Sequence, residues 1–488
     1  MKTTLAVSML IGLATTASAN TNPKTKEAAA DKVPITTSSD EAREMYVKAR
    51  DFADKLRATD AHELFAKAVA KDKNFGLAYL GMAQSSGTNK DFFDALNKAI
   101  ALEDKVSPAE KLLIQAADQG SKGDLTHQKE SLEKVAKLFP TDERIQNQLG
   151  QYYFGRQDYA ESIASYEKAI QINPAYSQPY NQLGYAYRFT DKLADAERTF
   201  KKYIELIPGD PNPYDSYGEL LMQEGKFAES IASYEKALKV DGNFVASYVG
   251  IGNDQIFLGK GDDARKTFDK LAKVARNDGE KRQAIFWTAV AYSHEAAWDK
   301  ALAEADKLVA IANANKDLAM LANDYNFVAN TLLEAGKTDE ALAKFKLQIE
   351  TSDKANLPAE VKETGRRNEI YDEARVALAK HDLKTAKTKA ALYAKQVGVK
   401  QNPFEVRQQH ELQGMILIED GKFKDAASEL GKANLRDPRV LYLTALALQK
   451  AGDAKGAKAM AAKAADFNGL AANYAYVRVK ARAIVATK

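Results

Sequence analysis

Between residues 144 and 154 the apolar side chains Ile145, Leu149, Tyr152 and Tyr153 fall on one helical face, and residues 159–172 resume that spacing after a short polar turn. No alternating apolar and polar pattern competes, so the stretch reads as two helices joined by a turn. The pair then recurs. Gly150, Gly184, Gly218 and Gly252 lie 34 residues apart, and the same interval separates Leu132, Tyr166, Phe200, Tyr234 and Phe268. Pro140, Pro174, Pro208 and then Gly242 keep it, as do the small residues Ser162, Ala196, Ser230 and Ala264, and the segment ESIASYEKA occurs at both 161–169 and 229–237. A fixed period of this length marks a solenoid of stacked helix pairs.

Each periodic residue has a physical task. Glycine in the first helix removes the side chain that would hold the second helix away, and the small residue twelve positions later lies in the same contact. The aromatic four residues further on fills the wedge between the helices. Proline after the second helix cannot continue it and sets the turn into the next unit.

This pattern resembles the tetratricopeptide repeat, which places an aromatic at position 4, Leu-Gly at 7 and 8, Tyr at 11, Ala at 20, an aromatic at 24, Ala at 27 and Pro at 32. Residues 177–210 carry Tyr180, Leu183-Gly184, Tyr187, Ala196, Phe200 and Pro208, departing where Tyr203 replaces the small residue. Residues 143–176 carry Gln146, Leu149-Gly150, Tyr153, Ser162, Tyr166, Ala169 and Pro174. Contiguous units start at 109, 143, 177, 211 and 245, and the pattern decays into further units near 42, 75, 282, 322, 367, 407 and 438. The resemblance implies an all-α fold, a right-handed superhelical solenoid of about twelve helix-turn-helix repeats. At roughly 9 Å between helices such an array has a contour on the order of 200 Å, which predicts an extended superhelix without a single globular core.

The chain divides accordingly. Residues 1–19 read as a secretory signal: Lys2, an apolar run over 3–14, and Ala17-Ser18-Ala19 as a small-residue cleavage pattern. Residues 20–40, with Pro23 and Pro34 among Thr, Ser, Lys and Asn, read as a flexible lead-in. A better-matched array over 41–276 (most regular at 109–276) precedes a degenerate array over 277–469, and a helix over 470–488 is expected to cap the stack. In the second array, Trp287 and Trp298 are expected in a shortened helix pair, and Pro358 with Glu360 starts an extended helix. Ser107-Pro108-Ala109-Glu110 is a capping box that starts the third unit.

Composition narrows the chemistry. Of 488 residues 45% are hydrophobic and 28% charged, the balance of a core-forming chain. Seventy Lys and Arg against 67 Asp and Glu leave a net charge of +3, which offers no attraction to nucleic acid. With no cysteine there is no disulfide framework, thiolate metal site or thiol nucleophile. No Asn-x-Ser/Thr site occurs either, and together with the signal this points to an exported bacterial protein, periplasmic or secreted. No later segment reaches the length of a transmembrane helix.

Several motifs have plainer readings. Gly336-Lys337-Thr338 ends like a phosphate loop but has Thr331 where that loop needs glycine, and Gly225-Lys226, Gly259-Lys260 and Gly421-Lys422 recur at the same turn, so the glycine is a helix C-cap. His294-Glu295 and His410-Glu411 lack the second histidine of a zinc helix, with Trp298 and Gly414 in its place. Arg478, Lys480 and Arg482 form a basic cluster expected on the outer face of the last helix. Catalytic residues, metal ligands and cofactors are not expected.

In the resembled family, positions 2, 5, 9, 12 and 13 of the first helix meet the ligand on the concave face. Those positions select Arg144, Asn147, Gln151 and Phe154 in one unit, Gln178, Asn181, Tyr185, Arg188 and Phe189 in the next, then Asn212, Asp215, Glu219 and Met222, and Asn253, Ile256 and Phe257 in the following one. Side-chain amides donate and accept, so such a ladder suits an extended peptide backbone, with Phe and Tyr burying its side chains. Asn147 and Gln151 do not match the two-carboxylate clamp of the family's chaperone cofactors. The expectation is a non-enzymatic scaffold in the cell envelope with protein or peptide partners. The alternative is a polysaccharide-binding or secretion-associated protein, with Tyr185 and Phe189 stacking on sugar rings.

Overall fold

The computed structural model describes residues 32–487 apart from Leu56 and Gln401. The signal read at 1–19 and the lead-in up to residue 31 lie outside the described residues. Among these residues the chain forms 25 α-helices and a short 3-10 turn. The helices pack in sequence as twelve antiparallel pairs, such as Glu143–Gly155 with Tyr159–Ile172 and Gln178–Phe189 with Leu193–Leu206, followed by a closing helix Tyr474–Ala486. This is the all-α solenoid that the 34-residue period predicts.

The periodic residues sit where packing requires them. A Cβ at Gly184 would stand 2.5 Å from the Phe200 ring, which is fully buried in the wedge. At the small-residue position, the Ser162 and Ser230 hydroxyls donate to the carbonyls of Gly150 and Gly218 across the pair. The turn within a pair needs a left-handed residue: Gly225, Gly259, Gly336 and Gly421 have φ from +74° to +78°. Units without glycine there place Gln157, Asp191, Ala296 or His381 in the same conformation. Ser107 and Glu110 form the capping box, the serine hydroxyl accepting from the Glu110 amide and the carboxylate accepting from the Ser107 amide.

The core is a chain of local clusters. One spans Ala42 to Tyr152, a second Tyr166 to Leu220, a third Met222 to Ala291, and smaller ones follow. The third breaks the local rule, because Tyr474 and Ala475 from the last helix belong to it.

That exception reflects the principal difference from expectation. The superhelix does not stay open: its later turns pack on its earlier ones. The Tyr474 hydroxyl donates to Asn253 Oδ1 at 2.8 Å, Asn468 Nδ2 donates to the Gln223 carbonyl, and Arg436 donates to the Phe189 carbonyl. Near the start, Thr59 donates to Glu280 at 3.0 Å and Arg276 pairs with Asp60 at 3.3 Å. The bonded residues are 216 to 247 positions apart, about seven units, so each contact joins successive superhelical turns.

Three local readings are corrected as well. Trp287 and Trp298 lie in Asp278–His294 and Trp298–Ala314, which are long helices of 17 residues each; the added turns carry buried Ala284, Trp287, Leu308 and Ala312. Residues 32–39 are a strap held by side-chain bonds, with Thr36 donating to Glu110, Thr37 and Ser38 to Asp72, and the Val33 amide to Asp142. Arg478 is not on an outer face but 1% exposed, because the last helix turns that side toward Phe257.

Candidate functional site on the concave face

Through most of the array the first helices of successive pairs pack against one another, whereas second helices meet their neighbours in sequence, except that Asn89–Ile100 also meets Leu318–Glu334. The first helices are therefore the inner layer, and the residues selected for the groove lie along it. The structure divides them into three environments.

Asn147, Gln151 and Gln178 border a cavity of about 460 Å³ between the first helices of the N-terminal units. Asn147 Nδ2 donates to Gln178 Oε1 at 2.5 Å, and the same oxygen accepts from Tyr176. Asn147 Oδ1 is buried with no donor, and Gln151 is exposed. Gln84, Gln148 and Gln182 complete a wall of amides. Sequence reasoning missed these three, although Gln148 and Gln182 keep the 34-residue interval one position beyond Asn147 and Asn181. On the opposite side Arg144 pairs with Asp54 at 2.5 Å and lies over the Tyr176 ring.

Further along, the selected residues bond to one another. Arg188 donates to Glu219 at 2.9 Å with its guanidinium over the Tyr185 ring, and the Tyr185 hydroxyl donates to the same carboxylate at 3.0 Å. Asn212 Nδ2 donates to Tyr203, and Ser247 donates to Asp215 at 2.7 Å. Burial and the neighbouring Glu219 carboxylate push the Asp215 pKa up. Asn181 is fully buried with neither end of its amide bonded. These residues do not face an open channel.

The third environment is filled by the chain itself. Phe154 and Phe189 pack with Tyr159, and Arg436 covers the group with its guanidinium 4.5 Å from the Tyr159 ring centre and 5.1 Å from that of Phe189. Asn253 is capped by Tyr474, and Arg478 lies 4.3 Å over the Phe257 ring, donating to the Phe467 carbonyl and to Asn468. Burial and Arg482 lower the Arg478 pKa to about 10. No signal within a 34-residue unit announces Arg436, Tyr474 or Arg478, because their partners are several units away.

The histidines have structural surroundings. His410 bonds Glu429 at 2.6 Å, and His294 is mostly buried beside Tyr474, its pKa lowered to about 4 by burial, Arg478 and Arg482. Among the described residues no group of three His, Asp or Glu side chains is placed to hold a metal ion. No helix among them is long and apolar enough to cross a membrane.

Comparison with known proteins bears on the regular stretch. A family model described as TPR repeat matches residues 150–188, and one described as tetratricopeptide repeat matches 177–210 and 212–244. No curated protein matches the chain. Among solved structures, a tetratricopeptide repeat protein from Parabacteroides merdae is 18% identical over 53% of this chain and 96% of its own, with a TM-score of 0.36. A crystal structure of MamA is 24% identical over 33% of this chain and 93% of its own, with a TM-score of 0.28. MamA from residue 41 onward of Desulfovibrio magneticus is 15% identical over 35% of this chain and 96% of its own, with a TM-score of 0.30. The repeat models thus match in register across residues 150–244, and helix pairs of the same plan lie on either side of that stretch.

Proposed function

We propose that this protein is a non-enzymatic interaction scaffold of the bacterial cell envelope that holds extended segments of partner proteins against the amide-lined concave face of its N-terminal units. The observation that carries the reading is the amide wall of the cavity of about 460 Å³, formed by Gln84, Gln148, Gln151, Gln178 and Gln182, of which Gln84 and Gln151 are exposed. These amides can both donate to and accept from a peptide backbone. Export is supported by the signal pattern over residues 1–19, and a bacterial source by the absence of cysteine and of glycosylation acceptor sites.

The polysaccharide reading required Tyr185 and Phe189 as free stacking platforms. One ring lies under Arg188 and the other packs between Tyr159 and Phe154 beneath Arg436, so protein segments are the better-supported ligand.

A photo-crosslinking residue at Gln151, compared with one at Lys168 on the second helix of the same unit, tests the proposal in the producing cell. The expected result is a discrete protein adduct from Gln151 that is lost when Asn147→Ala and Gln182→Ala are added. Equal labelling from both positions, or adducts unaffected by those substitutions, would overturn it.

A further inference from the structure

The largest cavity described adjoins the amide-lined one at Ser85 and lies where the first superhelical turn meets the second. Its volume is about 850 Å³, within the range of sites that enclose a ligand. One side comes from Ala58–Lys71 and the turn before Asn89–Ile100; the other comes from the starts of Val245–Phe257 and Asp278–His294. Its wall therefore exists only because the turns pack together.

The two kinds of lining are distinct. Trp287, Phe244 and Val249, each less than 10% exposed, present apolar surface, and Leu470 adds to it. Around them stand six carboxylates against two arginines. Arg57 bonds Asp60 at 3.0 Å and pairs with Asp241 at 3.5 Å; Arg276 pairs with Glu280 at 2.7 Å and with Asp60. Both cations are thus used within the seam, on Asp60, Asp241 and Glu280. The remaining carboxylates, Glu63, Asp91 and Asp278, have no ion-pair partner among the described residues, and Glu63 is exposed. His62 is turned to the Met82 carbonyl.

An apolar wall with surplus negative charge disfavours phosphate-bearing ligands and leaves sugars without charge complementarity. It matches a ligand that carries a cation next to an apolar group. We propose that this seam cavity is a second binding site, which takes a short segment of a partner protein with Lys or Arg beside a large apolar side chain. The apolar side chain lies against Trp287, Phe244 and Val249, and the basic group meets Glu63 and Asp278. Since the site spans two superhelical turns, its occupant also holds them together. The inference stands apart from the concave-face reading, because the two cavities share no amide of the groove wall.

Trp287 reports on the site directly, since the chain has only one other tryptophan, Trp298, which Trp298→Phe removes. The probe is a capped hexapeptide of alternating lysine and leucine, titrated into the full chain at low salt. The controls are the same peptide with glutamate for lysine, and spermidine. The expected result is a saturable change in Trp287 emission with the lysine peptide alone, accompanied by a rise in melting temperature. Glu63→Gln with Asp278→Asn should weaken it on the order of tenfold, Ala246→Phe, at an exposed position lining the cavity, should abolish it, and Gln151→Ala should leave it unchanged. Equal binding of the glutamate peptide, saturation by spermidine at the same concentrations, or undiminished binding by a normally melting Ala246→Phe variant would overturn the proposal.

Discussion

The first helices of units 143–176 and 245–276 carry the same kind of inward-facing residue, yet Asn147 and Gln151 border a cavity while Asn253 is sealed beneath Tyr474. Nothing in the local chemistry separates Gln151 from Asn253, since both are amides at the same position of their units. The difference is made by residues 436–478, which close over the middle of the concave face and not over its beginning. In a solenoid whose turns touch, access to an inward residue is decided by what arrives about seven units later. Repeat position says only where a side chain points.

One of the two largest expected effects comes from breaking the wedge on which the sealed region is built. Gly184→Leu drives a side chain into Phe200 and should cost about 2–4 kcal/mol as overpacking; a thermal melt matching wild type would show the wedge to be misplaced.

The other comes from the charge state of the sealed interior. Asp254 is fully buried, and burial raises its pKa to about 8. An unfolded chain ionises the same carboxyl near ~3.9, so the folded state holds a proton that the unfolded state has released. This contribution is fully present below pH ~4 and is lost as pH rises through about 8. Asp254→Asn, which has no proton to lose, should gain about 4 kcal/mol relative to wild type between pH 5 and pH 9. Melts at several pH values check this, and a difference independent of pH would place the group in water.

A smaller loss is expected at the cover itself. Arg436→Ala removes a guanidinium stacked on two rings and bonded to the Phe189 carbonyl, and should cost about 1–2 kcal/mol. Amide exchange should rise around Phe189 and stay unchanged around Gln151. Smallest of all is Gln151→Ala, an exposed side chain in the open region, with an expected change below about 0.5 kcal/mol in denaturant unfolding.

The paired helices were legible because their determinants are local. Glycine, wedge aromatic and turn residue act within one unit, and the period exposes them. The eighth pair was misjudged because its two helices, Asp278–His294 and Trp298–Ala314, are 17 residues each, so the unit does not keep the 34-residue interval that marks the regular ones. The strap at 32–39 has the composition of a linker, and its order comes from Asp72, Glu110 and Asp142, 34 to 109 residues away. Arg478 was counted among surface charges for a similar reason: its aromatic cover, Phe257, lies in a helix more than six units earlier. For the candidate site, helical position selected residues of the first helices, and long-range packing decides which of them stay open.

The account is tested most directly by thiol accessibility, since the chain has no cysteine of its own. Gln151→Cys and Asn253→Cys place single thiols at the open and the sealed positions, to be labelled with a maleimide under native conditions. The expected result is fast labelling at 151 and labelling at 253 slower by at least about a hundredfold, given the depth of burial, with the slow site accelerated by Tyr474→Ala. Equal rates at the two positions, or a rate at 253 that Tyr474→Ala leaves unchanged, would contradict the claim that the C-terminal segment closes the middle of the concave face.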